Sequence, residues 1–210
     1  MGIYFLVKGI IIGFSIAAPV GPIGILCVRR TLANGRLSGL VSGLGAATAD
    51  GFYGAVAAYG LTLVSKLLVG EQFWFRLIGG AFLLYLGIRT FVSKPSEAAL
   101  SGGKKNLIAD YASTLVLTIT NPMTTISFGA MFAALGLGDS NGNFASATMM
   151  VAGVVLGSAL WWFILSGGVS ILRPRFSMAS LGIVNLISGS VIVLFAVLAF
   201  ASLTQTKAAL

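Results

Sequence analysis

Residues 10–28, IIIGFSIAAPVGPIGILCV, form an almost unbroken apolar run that two prolines interrupt. Pro19 and Pro22, with Gly21 between them, remove backbone donors and clash with the preceding turn, so they predict two half-helices instead of one helix. Within hydrocarbon, the freed carbonyl and amide groups need partners, and a broken helix persists only where protein covers it or where it lines a polar cavity. The stretch therefore predicts a membrane span that is broken at a site.

The composition of the chain is that of an integral membrane protein. Of the 210 residues, 57% are hydrophobic and 9% are charged, against about 25% charged residues in soluble domains. Too few charges remain to cover a soluble globule, and the apolar stretches reach the roughly 20 residues that cross a bilayer. The net charge of +8 comes from Lys and Arg between the apolar segments, which is typical of membrane-protein loops and not of a nucleic-acid-binding face.

Cysteine and histidine usage limits the chemistry of the chain. Cys27 is the single cysteine and histidine is absent. We therefore expect no disulfide within one chain, no metal site and no cofactor.

Six hydrophobic segments predict an all-α fold of six transmembrane helices. A basic turn over residues 29–36 follows the first segment, and residues 93–106 form the one long polar loop. The first and fourth segments are predicted to break at their prolines. The six segments cover residues 3–28, 37–64, 73–92, 107–137, 144–172 and 178–203.

The two halves of the chain resemble each other weakly. Residues 77–80 (LIGG) match residues 186–189 (LISG), and Pro22 matches Pro122. Because each half holds an odd number of spans, the second half enters the membrane from the opposite side. We therefore expect a single domain, residues 1–210, built as two inverted repeats (1–92 and 107–210), which is the plan of many secondary transporters.

The basic residues predict the orientation. Eight Lys and Arg residues follow the first, third and fifth segments, and three (Lys8, Lys66 and Lys207) belong to the opposite side. The positive-inside rule then places both termini outside.

Both predicted breaks suit an anionic ligand. Helices that begin at Pro22 and Pro122 would present free amides and a positive helix end in mid-membrane, which suits a carboxylate. Asn121 can cap the second half-helix or bind the ligand. The alternative is that the prolines only kink their helices, but the matched positions in both halves favour a site.

Asp50 is the only acidic residue deep within a predicted span. A charge at the bilayer centre costs about 2.5 to 3.5 kcal/mol, so such a carboxyl indicates a function. We expect Asp50 to bind a proton or an ammonium group; a structural carboxyl bonded to a nearby hydroxyl is the alternative. By the repeat, its counterpart lies near Leu160 or Trp161, which carry no charge, so one coupling carboxyl per chain is expected.

Neighbouring side chains complete the predicted site. Tyr53 follows Asp50 on the same helical face, and Ser15 lies one turn before Pro19. Hydroxyl groups near the second break, Thr120 among them, either line the cavity or satisfy carbonyls that Pro122 leaves free. The predicted substrate-binding residues are Ser15, Pro19, Gly21, Pro22, Asp50, Tyr53, Thr120, Asn121 and Pro122, with Asp50 as the proton-coupling group.

Over its whole length, the chain resembles the LysE/RhtB family of bacterial amino-acid exporters. The resemblance rests on PVGP at residues 19–22, on Asp50 in the second segment and on Asn121-Pro122 in the fourth. It implies efflux of an amino acid or a similar small metabolite across the bacterial inner membrane, driven by proton exchange. Members often carry a basic or polar residue where this chain has Met123, so the resemblance implies no particular substrate.

The residues favour some substrates and partners over others. With Asp50 as the only deep charge, a neutral or zwitterionic amino acid is favoured over a dibasic one. Glycine-rich helix faces favour a homodimer.

Three other functions are alternatives. A divalent-cation exporter would need several carboxylates or histidines. An enzyme would need a second cysteine, a base beside a nucleophile or a pair of aspartates, so we expect that the chain is not an enzyme. The residues alone do not separate a transporter from a passive channel.

Overall fold

A computed structural model describes residues 2–19, 21–59, 72–93, 106–121, 124–128, 144–175 and 177–207. These ranges are helical apart from short connections and contain no strand, which confirms the all-α prediction. A short helical segment covers residues 124–128, and a 3₁₀ turn, Arg173–Arg175, follows the sixth helix. The α-helices are α1 (Gly2–Ala17), α2 (Pro22–Asn34), α3 (Arg36–Ala58), α4 (Gln72–Phe91), α5 (Leu107–Ile119), α6 (Phe144–Leu172) and α7 (Met178–Lys207).

The described residues contain two helices that are long and apolar enough to cross a membrane. They cover Phe144–Arg175 and Ala179–Ala201. A third span is present if α1 and α2, whose axes bend by 81° at the break between them, are counted together. Helix α3 has 23 residues but is rich in glycine, alanine and serine, and it is largely buried among the other helices.

The first segment is broken where its prolines predict the break. Helix α1 ends at Ala17 and α2 begins at Pro22, because the fixed φ of proline suits the first helical position. Gly21 precedes α2 in an extended conformation, with φ −100° and ψ −166°.

The predicted basic turn over residues 29–36 is wrong. Helix α2 continues through Arg29 and Arg30 to Asn34, and α3 begins at Arg36. Arginine is a good helix former, and one glycine suffices for the connection, since Gly35 adopts a φ of 94° that side chains rarely tolerate.

The helix of the fourth segment is interrupted near its predicted break. Helix α5 ends at Ile119, and a new helical turn begins where the carbonyl of Asn121 accepts bonds from the amides of Thr124 (3.1 Å) and Thr125 (3.4 Å). Pro122 lies outside the described residues, as do residues 60–71, residues 94–105 of the predicted polar loop and residues 129–143, which include the end of the fourth predicted segment.

Helices α3 and α6 cross at the centre of the bundle and run antiparallel. Gly43 of α3 lies against Trp162 of α6, and Gly54 lies against Val154. These glycines let the two backbones approach closely.

Two further helices flank this central pair, and each runs parallel to its partner. Helix α1 packs on α6, where Gly9 meets Met150 and Gly13 meets Val154. Helix α5 packs on α3, where the Thr114 hydroxyl donates to the carbonyl of Ser42.

Helices α4 and α7 form a separate antiparallel pair. Gly80 lies against Phe200, and Gly87 lies against Val193. Beyond their contact with each other, these two helices touch the rest of the described bundle at few places. Helix α7 contacts mainly α2, and α4 makes a small contact with α5. Helix α2 thus lies between this pair and the rest of the described bundle.

Candidate functional site

A cavity of about 550 Å³ lies at the break between α1 and α2 and extends to the end of α5. Both predicted breaks contribute to its wall, as do α3, α4, α6 and α7. Its polar lining consists of Asp50, Thr118, Thr120, Asn121, Thr124 and Ser127. Its larger apolar lining residues are Ile16, Ile23, Leu83, Leu117, Trp162, Phe195 and Leu198.

Asp50 is a buried carboxyl at this cavity, with 3% of its surface exposed. Its Oδ2 accepts a hydrogen bond from the Ser158 hydroxyl at 2.7 Å, and that hydroxyl accepts one from Nε1 of Trp162 at 3.1 Å. Among the residues that the structure describes, no Lys or Arg pairs with Asp50, and Oδ1 has no hydrogen-bond partner. Ser158 thus holds one carboxyl oxygen in place, which is the bond to a nearby hydroxyl that the sequence left open as an alternative, while the other oxygen has no hydrogen-bond partner among the described residues.

The N-terminus of α2 faces the same cavity. Gly21, Pro22, Ile23 and Gly24 line it, and none of the described side chains caps the helix. The first amides of a helix carry a partial positive charge and bind anions. The cavity therefore combines a carboxyl that can accept bonds from an ammonium group with a helix end that can donate bonds to a carboxylate.

The structure brings six of the nine predicted site residues together. They are Pro19, Gly21, Pro22, Asp50, Thr120 and Asn121, all of which line the cavity. Thr120 also donates to the carbonyl of Val116 at 2.8 Å, which is the helix-repair role that the sequence left open.

Ser15 and Tyr53 lie outside this lining, and Pro122 lies outside the described residues. Ser15 is exposed on α1. Tyr53 is buried at the second break, where its hydroxyl donates to the carbonyl of Ile119 at 2.5 Å and accepts a bond from Thr125 at 3.0 Å. Tyr53 thus joins α3 to both sides of that break.

Sequence reasoning missed a buried ion pair between Arg30 and Asp110. Nε of Arg30 lies 3.1 Å from Oδ1 of Asp110. The Ser38 hydroxyl donates to the same carboxylate, while the guanidinium donates to the hydroxyls of Ser42 (2.9 Å) and Ser113 (2.7 Å). The predicted topology places Arg30 and Asp110 on the same side of the membrane, and this was the one feature of the sequence that could have indicated the ion pair.

Arg29 makes a second polar network next to this one. Its Nε donates to Oδ1 of Asn185 and its Nη2 donates to the hydroxyl of Ser93, both at 2.9 Å. Asn185 also donates to the carbonyl of Ser93 at 3.0 Å. Arg29 therefore ties α2 to the start of α7 and the end of α4.

An apolar layer separates the two arginines from the cavity. It contains Leu26 and Cys27 of α2, Leu86 of α4 and Ile192 of α7, all buried. Along α2, Leu26 and Cys27 lie between the cavity-lining turn at residues 22–24 and the two arginines.

A helical membrane protein with a broken span around a central cavity has the architecture typical of secondary transporters. The family model of the LysE type translocators matches residues 14–202. The chain belongs to this family of membrane translocators.

Relatives at low identity agree with this assignment. The chain is 27% identical over 168 residues to "Putative amino acid efflux protein YcgF" of Bacillus subtilis (strain 168), which covers 78% of this chain and 79% of the relative. It is 28% identical to "Uncharacterized membrane protein YahN" of Escherichia coli (strain K12), over 85% of this chain and 81% of the relative. It is also 28% identical to "Chemotactic transduction protein ChpE" of Pseudomonas aeruginosa, over 80% of this chain and 84% of the relative. No solved structure matches the chain.

Proposed function

We propose that this protein exports an amino acid or a closely related small metabolite across the bacterial inner membrane, in exchange for protons and by alternating access. The observation that carries the proposal is that two features line the same cavity: the buried carboxyl of Asp50, which pairs with no Lys or Arg among the described residues, and the N-terminus of α2, which no described side chain caps. The translocator family and the printed name of the Bacillus subtilis relative support it.

The two charged groups of an amino acid match these two features. The α-carboxylate binds the amides at the start of α2, next to Gly21 and Pro22, while Asn121 adds a polar side chain from the second break. The ammonium group binds Oδ1 of Asp50, which has no protein partner among the described residues.

Asp50 also couples transport to protons. A proton and an ammonium group cannot occupy the same carboxyl oxygen at once, so each excludes the other. Mutually exclusive binding is what an antiporter requires: the substrate leaves on one side and a proton takes its place for the return step.

The packing of the helices supports six spans arranged as two inverted repeats in a single domain. In the two repeats, α1 corresponds to α5, α3 to α6 and α4 to α7. If the repeats are exchanged, the parallel α1–α6 pair maps onto the parallel α5–α3 pair. The same exchange returns the antiparallel pairs α3–α6 and α4–α7 to themselves. A two-fold axis in the membrane plane has this effect.

The α4–α7 pair is our candidate for the moving element. It joins the remaining helices chiefly through α2, and the Arg29 network spans that junction. We infer that the Arg29 bonds break when the cavity opens toward the cytoplasm, whereas Arg30 stays bonded within the other unit. From the excess of basic residues we infer that this end of the bundle faces the cytoplasm and that both termini lie outside.

Transport by purified protein in proteoliposomes tests the proposal. A pH gradient should drive a labelled amino acid against its own concentration gradient, and collapse of the pH gradient with a protonophore should stop this. Downhill flux that ignores the pH gradient would identify a passive channel instead. Light scattering of the detergent-solubilised protein tests the further expectation of a homodimer.

A further inference from the structure

We propose that the transported substrate has an apolar side chain, and that the α4–α7 wall of the cavity, centred on Leu83 and Phe195, selects it. This inference rests on the proposed function and adds the substrate class. Its first support is the distribution of charge. Asp50 is the only ionisable group among the described residues that line the cavity.

The second support is the separation of polar and apolar lining residues. The acid and the hydroxyl and amide groups come from α3 and from the second break. Among the side chains that the structure describes, helices α4 and α7 contribute Gly79, Gly80, Leu83, Phe195, Leu198 and Ala199. A substrate held by its ammonium and carboxylate groups at the polar side therefore directs its side chain at a wall whose described side chains offer no hydrogen bond.

The size and burial of this wall fit such a side chain. Leu83 is 9% exposed, and Phe195 is partly buried and packs against the same core cluster. The cavity volume of about 550 Å³ lies within the range of small-molecule pockets, about 300–1,000 Å³, so a leucine or phenylalanine side chain has room.

Charged and polar side chains are disfavoured by the same wall. The second cation of lysine or arginine would need another anion, since Asp50 already holds the α-ammonium group, and an unpaired buried charge is costly. A serine side chain would leave its hydroxyl unpaired and the apolar wall unfilled.

A substrate panel in proteoliposomes tests the inference. We expect kcat/KM for leucine, methionine and phenylalanine to exceed the values for serine, lysine and arginine by at least about tenfold. Equal or faster transport of lysine or serine would overturn the inference and leave the proposed export function standing. No transport of any amino acid in the panel would overturn both.

Two substitutions locate the selective wall. Phe195→Ala should lower the leucine-to-serine ratio of kcat/KM by about tenfold, and Phe195→Glu should raise the lysine-to-leucine ratio by supplying a second anion. Phe200→Ala is the matched control, because Phe200 lies on the same helix against Gly80 and does not line the cavity. Since each ratio is measured on one protein sample, partial misfolding does not change it. Equal ratios in Phe195→Ala and wild type would place the selectivity elsewhere and overturn the assignment of this wall.

Discussion

Asp50 and Asp110 are both buried acids, yet the protein surrounds them differently. Asp110 is 9% exposed and pairs with Arg30 at 3.1 Å, with a further bond from Ser38. Asp50 is 3% exposed and, within the described residues, accepts only the Ser158 bond while it borders a cavity. Removing one partner of a buried ion pair leaves the other charge uncompensated and destabilises the fold, whereas a carboxyl without a counter-charge beside a cavity is a candidate for binding a ligand or a proton.

The largest effect on stability is expected at the compensated acid. Asp110→Asn leaves Arg30 buried without its counter-charge, so the free energy of unfolding should fall by roughly 3–5 kcal/mol. Thermal unfolding in detergent measures this, with Asp50→Asn as the matched control. An unfolding midpoint for Asp110→Asn equal to that of wild type would remove the distinction between the two acids. The double variant Arg30→Met/Asp110→Leu should regain much of the loss.

The next largest effect is expected at Arg29, on the opening of the cavity and not on stability as at the Arg30–Asp110 pair. Arg29→Gln removes charged hydrogen bonds worth roughly 1.5–3 kcal/mol each between α2 and the α4–α7 pair, so the cytoplasm-open state should become about tenfold more populated or more. Cys27, the single cysteine, is fully buried in the layer above Arg29 and reports this opening. Its labelling rate by a thiol reagent added from the cytoplasmic side should rise accordingly.

Arg175→Gln is the control for Arg29→Gln, because Arg175 is exposed in the 3₁₀ turn after α6. Cys27 labelling in this variant should match wild type. Equal labelling of Arg29→Gln and Arg175→Gln would contradict the role of Arg29 in closing the cavity.

A smaller effect is expected at the hydroxyl that holds Asp50. Ser158→Ala removes the bond to Oδ2 and leaves Nε1 of Trp162 without its acceptor. A loss of roughly 1 kcal/mol for the bond that orients the carboxyl predicts a fall of about fivefold in kcat/KM for export. Ser170→Ala, on the same helix, removes a bond to the Gly167 carbonyl and touches neither Asp50 nor Trp162, so this variant should transport as wild type does. An unchanged kcat/KM in Ser158→Ala would show that Asp50 needs no positioning.

The smallest effect on stability is expected at Gly21. A Cβ added there meets no atom within 4 Å, and its φ of −100° suits any residue, so Gly21→Ala should change the unfolding free energy by less than about 0.5 kcal/mol. Gly13→Ala is the contrasting variant, because its Cβ would overlap the backbone of Val154 and push α1 away from α6. Equal thermal stability of the two variants would contradict the assignment of Gly21 to the open cavity and of Gly13 to the packed interface between α1 and α6.

Local sequence features predicted the elements well. Proline chemistry is local, so the break before Pro22 is visible in the sequence, and apolar length placed the segment 144–172 at the bounds of α6. A deep carboxyl such as Asp50 is also conspicuous in an apolar run, which is why a site could be predicted around it.

Tertiary contacts escaped the same reasoning. The Arg30–Asp110 pair joins residues 80 positions apart, and a basic stretch at the end of a span is ordinarily a loop, so nothing local reveals the pairing. Ser15 illustrates the other failure: spacing placed it one turn before Pro19, but only the packing of α1 on α6 determines which of its faces is exposed.

Proton-driven export by Asp50→Asn compared with wild type tests the central claim most directly. In proteoliposomes of equal protein content, wild type should accumulate labelled leucine against its gradient when a pH gradient is imposed. Asp50→Asn should show no pH-driven accumulation while it keeps the unfolding temperature of a folded protein. Accumulation by Asp50→Asn at the wild-type rate would contradict the role of this carboxyl in coupling.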